Sequence, residues 1–170
     1  MSRMLVVCAV TSFMTCASLH AGEPRVGFSG YGAARIGMTR SELQDALGKR
    51  LVDESPGDEF NRCAYVYPDG VPRDIGYMLL EGRLARIDVD IDSVSTISGA
   101  RIGSTEAQVR ALYPGRVKTT PHHYEGPVGH YLVVLSPDGR LGVRFETDGE
   151  RVTRWYAGTH RAIQYVEGCQ

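Results

Sequence analysis

The segment Pro121-His122-His123-Tyr124-Glu125-Gly126-Pro127-Val128-Gly129-His130-Tyr131 gathers more reactive side chains than any other stretch of the chain. Two kinds of chemistry fit those residue types. His122, Tyr124, His130 and Tyr131 offer flat aromatic area with hydrogen-bonding tips, the composition of a loop that binds a protein or a ligand. The alternative uses His122, His123, Glu125 and His130 as ligands for zinc or copper, giving a metal-binding protein or a metal-dependent hydrolase. The spacing of these four matches no established metal motif. In a hairpin, His122, Tyr124 and Tyr131 are cross-strand neighbours. The expectation is therefore a partner-binding loop, with no metal and no cofactor assigned.

Other polar groupings point away from catalysis. Asp88, Asp90 and Asp92 open like a calcium loop, but the sixth position is Ser93 rather than Gly and the twelfth is Gly99 rather than Glu. They read instead as the solvated face of a strand. There is no G-x-S-x-G elbow and no cysteine in a catalytic context. No catalytic residue is assigned, and a non-enzymatic protein is expected. The formal charge of −1 provides no basic field for nucleic acid.

The elements that must carry the 121–131 loop come from an internal duplication. Arg35-Ile36-Gly37-Met38-Thr39-Arg40-Ser41-Glu42-Leu43 returns as Arg101-Ile102-Gly103-Ser104-Thr105-Glu106-Ala107-Gln108-Val109. Pro68-Asp69-Gly70 returns as Pro137-Asp138-Gly139, and Gly82–Ile87 returns as Glu150–Trp155. Thr39 with Glu42, and Thr105 with Gln108, have the spacing of a helix capping box. This gives the repeated motif a structural role and not a phosphate-binding one. Leu43, Ala46 and Leu47 form the apolar face of the first helix; Val109, Leu112 and Tyr113 form that of the second.

After each helix the hydrophobic period changes to two. Strands are predicted at Cys63–Tyr67, Ile75–Leu80 and Leu84–Ile91, then at Tyr131–Leu135, Gly142–Glu146 and Arg151–Tyr156. A further strand is expected at Val117–Tyr124, and Ala162–Val166 reads as a last strand or extended tail. Residues 22–34 read as an irregular lead-in. In Leu84–Asp92, Ala85, Ile87, Val89 and Ile91 alternate inward while Leu84, Arg86, Asp88, Asp90 and Asp92 point the other way. Trp155, aligned with Ile87 by the repeat, belongs to the core. The expected fold class is α+β, with two tandem units, each a capped helix followed by an antiparallel meander of three or four strands. Residues 22–98 form the first unit and 99–170 the second, packed as one body.

This order of elements resembles the tandem fold of the secreted beta-lactamase inhibitor protein family. It is also similar to the single-unit small outer-membrane assembly lipoproteins called SmpA/OmlA. The residues that carry the resemblance are Ile36-Gly37-Met38-Thr39-Arg40 with Leu43 and Leu47, and Ile102-Gly103-Ser104-Thr105 with Val109 and Leu112. The resemblance implies an envelope or secreted protein that binds other proteins. This chain departs from the inhibitor in lacking a cysteine pair within each unit.

Residues 1–21 read as a signal peptide: Arg3 is followed by an apolar run from Met4 to Ala17, with Ala21 before a cut. Cys8 and Cys16 leave with it, and Cys63 and Cys169 are expected to form a disulfide in an oxidising compartment. A tether through a lipidated Cys16 is the alternative to a free periplasmic or secreted protein. No segment of the mature chain is apolar for long enough to span a bilayer. Together these readings describe an exported binding module of the cell envelope. It would contact a protein partner through its sheet face and the 121–131 loop. The alternatives are the metal-binding protein and a secreted enzyme inhibitor.

Overall fold

The structure is a computed structural model that describes residues 25–54 and 62–169. The expected signal peptide and Cys16 lie outside the described residues. The elements are β1 (Arg25–Gly27), β2 (Gly30–Tyr31), β3 (Ala34–Arg35), α1 (Arg40–Leu47), β4 (Leu51–Asp53), β5 (Cys63–Pro68), β6 (Ile75–Leu80) and β7 (Arg83–Val89). There follow β8 (Ser95–Thr96), α2 (Glu106–Leu112), β9 (Lys118–Pro121), β10 (His130–Leu135), β11 (Leu141–Thr147), β12 (Val152–Thr159) and a 3₁₀ turn at Ala162–Gln164.

The α+β expectation of two tandem helix-plus-meander units is overturned. Among the described residues the chain is mostly β, with two short helices of 8 and 7 residues. Its strands form an eight-stranded sheet ordered β4-β5-β6-β7-β12-β11-β10-β9 and a four-stranded sheet ordered β3-β2-β1-β8. The physical reason lies at the centre of the large sheet. β7 pairs with β12 antiparallel, Tyr156 opposite Asp88 and Ala157 opposite Ile87, so the strands run on as a single sheet. Each helix buries only one residue of its own, Leu43 or Val109. Leu112, expected in the core, is exposed. The remaining cover comes from the small sheet, where β1, β2 and the start of β3 fall in the segment expected to be an irregular lead-in and β8 joins them from Ser95–Thr96.

Local signals are realised at the expected places. Thr39 and Thr105 both form complete capping boxes, with Glu42 and Gln108 as the returning partners. Each such cap contributes about 1 kcal/mol. The Glu81-Gly82 turn between β6 and β7 has φ of 52° and 74°, the left-handed pair that a two-residue hairpin requires.

Pairing register shows why alternation was only partly informative. Leu84 sits opposite Leu79 while Arg86 sits opposite Met78, so Ala85 is an extra residue in β7. The same bulge recurs in β12, where Val152 faces Thr147 and Arg154 faces Glu146, leaving Thr153 extra. A bulge reverses the facing of what precedes it. Leu84 and Val152 therefore enter the apolar core instead of pointing away from it.

The apolar face of the large sheet packs on the helices and the small sheet. Leu43, Val66, Tyr77, Leu79, Leu84 and Ile87 form one buried cluster. Val26, Val109, Leu132, Phe145 and Trp155 belong to a second, adjoining cluster. Trp155 is fully buried, as its place in the repeat implied. The opposite face carries the charged and aromatic residues, and the chain end covers part of it.

Candidate functional site

The second face of the sheet is a buried layer of arginines and tyrosines. From β10 across to β5 it runs Tyr131, Arg144, Tyr156, Arg86 and Tyr65. The Arg144 guanidinium stacks 3.5 Å from the Tyr131 ring centre, and that of Arg86 lies 4.0 Å from Tyr156. Arg86 and Asp88 form a bidentate pair at 2.9 and 2.8 Å. Both are buried, with 3% and 4% exposure, so the expectation that Asp88 lies on a solvated strand face is corrected. Burial raises the Asp88 pKa and the Arg86 charge pulls it back; the fork geometry is that of a charged pair. Burial also holds the Tyr156 phenol far above its usual pKa, so it stays a donor and bonds Glu146 Oε1 at 2.9 Å.

The chain end seals this layer. Ala162–Val166, expected as a last strand or extended tail, instead makes the 3₁₀ turn and then crosses the arginines. Arg86 Nη1 donates to the carbonyls of Ala162 and Tyr165 at 3.2 and 2.7 Å, and Arg144 Nη1 donates to that of Ile163 at 2.9 Å. Gly142 makes room for the turn: a Cβ there would stand 2.7 Å from Ile163 Cδ1. The expected bridge between Cys63 and Cys169 is present, with Cα atoms 5.3 Å apart across a separation of 106 residues. It pins the far end of the strap to β5.

The 121–131 segment joins β9 to β10 as a closed loop over one end of the layer. His122 organises it. Its Nδ1 accepts the backbone N–H groups of Tyr124 and Glu125, both at 3.2 Å. That fixes the proton on Nε2, which faces Glu146 Oε2 at 3.4 Å. The ring packs against Tyr131, with centres 4.4 Å apart. Backbone bonds from His122 N to Gly129 O and from Gly126 N to His122 O close the loop. Tyr124 and Val128 are left 59% and 65% exposed. The Tyr124 hydroxyl bonds Glu167 of the strap, tying the two features together.

His130 belongs to a different cluster. Its Nδ1 lies 2.7 Å from Glu106 Oε1, which also accepts the Thr147 hydroxyl at 2.6 Å. Burial pushes the Glu106 pKa up, but the bonds from Thr147 and His130 outweigh this and leave it below its usual value. The structure therefore does not bring His122, His123, Glu125 and His130 together as a metal site. Among the described residues no group of three or more His, Cys, Asp or Glu is placed to hold a metal ion. Both ring nitrogens of His122 are already engaged, which disqualifies it as a ligand or a base while the loop keeps this shape. Of the expected partner-binding residues, Tyr124 is exposed, Tyr131 is buried beneath His122, and His130 faces α2.

Sequence reasoning missed Arg86, Asp88, Arg144, Glu146 and Tyr156. Their signal was present as polar residues alternating within strands, but it has the same form as a solvated face. Only the strap that covers them distinguishes the two cases.

Between loop and strap runs a groove of about 490 Å³, lined by His123, Tyr124, Tyr165, Val166 and Glu167 beside the cystine. On its other side the loop rests on the β11–β12 turn: a Cβ at Gly149 would stand 2.5 Å from the Val128 carbonyl oxygen. The exposed loop thus presents Tyr124, Val128 and Glu125, and the turn beneath Val128 carries the exposed Asp148 and Glu150.

No protein-family model matches the chain, and no curated protein matches it. Among solved structures it is similar to the uncharacterized protein yfeY from Escherichia coli. That likeness has a TM-score of 0.50 and 14% sequence identity, and it covers 79% of this chain and 99% of that one. At this identity it speaks for the fold alone.

Proposed function

We propose that the protein is an exported, non-catalytic binding module that grips a protein partner through the 122–129 loop and the groove beside it. The observation that carries this reading is the state of His122. An imidazole with two backbone N–H groups on one nitrogen and a carboxylate on the other holds the loop in a single shape, with Tyr124 and Val128 turned outward. Ordering a loop before contact lowers the entropy cost of binding, and a rigid aromatic anchor beside an aliphatic one makes an economical hot spot. Glu125, Asp148 and Glu150 around the tip favour a basic partner. The Cys63–Cys169 bridge supports export, because such bridges persist in oxidising compartments. The sheet face contributes less than the loop: its apolar side is covered, and the strap crosses part of its polar side.

A photo-crosslinking residue at position 124 tests the proposal in envelope extract, with the exposed position 49, just past the C-cap of α1, as the control. A species captured from 124 and not from 49 would then be purified and bound directly. Tyr124→Ala with Val128→Ser is expected to weaken that binding at least about a hundredfold, the scale for two hot-spot truncations. Equal capture from both positions, or equal affinity of the double variant, would reject the site.

A further inference from the structure

A second concavity, of about 750 Å³, lies along the exposed side of α2. Its volume falls within the range of small-molecule sites. Arg101 and Arg151 line it together with the polar Ser93, Ser104 and Gln108, and Ile102, Ala111 and Leu112 supply the apolar part of the lining. Asp92 also lines it, and among the described residues it forms no ion pair with either arginine.

The internal duplication supplies a control for these arginines. Arg83 and Arg151 occupy matching positions and do the same work: each donates Nη1 to a glycine carbonyl at 2.9 Å, Gly37 or Gly103. Arg35 and Arg101 also match in sequence, yet they differ in space. Arg35 Nη1 is taken up by the Gly32 and Ala34 carbonyls at 2.5 and 2.8 Å. Among the described residues, the Arg101 side chain makes no hydrogen bond and no ion pair; only its backbone is engaged, the N–H donating to Ser104 Oγ and the carbonyl accepting from Ser104 N. The copy that borders the concavity has therefore lost the structural bonds of its counterpart and leaves five N–H donors available. Leu112 adds to the contrast. It lies 38% exposed on the same cavity, although the helix pattern marks it for the core.

We propose that this cleft binds a small amphiphilic anion, a carboxylate or phosphate monoester carrying a short apolar tail. Arg101 and Arg151 hold the head by charge-assisted, forked hydrogen bonds, and Ile102, Ala111 and Leu112 cover the tail. With two guanidiniums against one carboxylate, the cleft has the sign this ligand needs. The site is separate from the 122–129 loop and does not rest on the partner-binding reading.

Backbone amide NMR shifts of the purified, oxidised protein provide the test, with hexanoate, hexyl phosphate and inorganic phosphate as probes. Hexanoate or hexyl phosphate should give saturable shifts confined to Gly99–Leu112, Arg151 and the Asp92–Ser93 edge of the cleft, and whichever binds tighter identifies the head group. Arg101→Ala, which removes an exposed side chain without partners, should weaken binding about tenfold or more. Lys49→Ala should leave it unchanged. The proposal is overturned if neither tailed probe saturates by about 10 mM, or if Arg101→Ala binds as well as the parent. Inorganic phosphate binding as tightly as hexyl phosphate would also overturn it, because the apolar wall would then contribute nothing.

Discussion

Replacing both bridge cysteines, Cys63→Ser with Cys169→Ser, perturbs the strap that seals the arginine layer. The bridge closes a loop of 106 residues. Loop-closure entropy for that length is about 16 cal/mol/K, or about 4.7 kcal/mol at room temperature. For a chain of this size each kcal/mol moves the melting temperature by roughly 2–4 °C, so a drop of about 10–20 °C is expected. Loop entropy acts on the unfolded chain and would lower stability evenly. The structure adds a local effect. Three carbonyls of Ala162, Ile163 and Tyr165 serve Arg86 and Arg144, and the bridge holds the end of that segment in place. Amide exchange should therefore accelerate at Ala162–Tyr165 even under native conditions, while β11 and β12 stay protected. Thermal melts followed by circular dichroism, together with exchange resolved by residue, measure both. A loss below about 1 kcal/mol would refute the loop argument. Unchanged exchange in the strap would refute its role as a seal held by the cystine.

Three further outcomes are expected. Asp88→Asn strands the Arg86 charge in a buried site and should cost about 3–5 kcal/mol in urea unfolding; Asp88→Asn combined with Arg86→Met should recover much of that loss. The lowered pKa of Glu106 means that its contribution is complete above the unfolded-state value, near 4.5, and is lost as pH falls through the folded one. Stability should thus decline on acidification below about pH 4.5, with a shallower slope in Glu106→Gln, measured by urea titration at each pH. Gly158→Ala places a Cβ 2.1 Å from the Ala85 carbonyl oxygen, where β12 meets β7. It should destabilise by several kcal/mol or prevent folding, whereas Gly70→Ala, at a turn with open space, should lose far less.

The parts of this fold that were legible are those set by neighbours a few residues apart. A capping box needs only positions i and i+3, so Thr39 and Thr105 announced both helices. Period-two runs gave the six long strands to within a few residues, and Cys63 and Cys169 are the one pair left once Cys8 and Cys16 fall in the expected signal peptide. What escaped depends on distant segments meeting. Nothing local marks β7 and β12 as partners, yet their pairing turns the expected helix-plus-meander units into one continuous sheet and changes the fold class. The bulges at Ala85 and Thr153 reversed the facing of Leu84 and Val152, a single-residue event that alternation cannot register. Arg86, Asp88 and Arg144 alternate in their strands as solvated residues do, and only the folded-back chain end makes them interior. The loop was visible as composition, but its histidines divide between Glu146 and Glu106 instead of converging, and composition cannot express that division.

The proposed recognition surface stands or falls on whether His122 holds the loop in one shape without a partner. Amide hydrogen exchange at Tyr124 and Glu125, compared between the native protein and His122→Ala, measures this directly. Protected amides in the native protein, exchanging about five- to tenfold faster once the imidazole acceptor is removed, are expected from the net worth of one hydrogen bond. Amides that exchange at unprotected rates in the native protein, or that keep their protection in His122→Ala, would contradict the account.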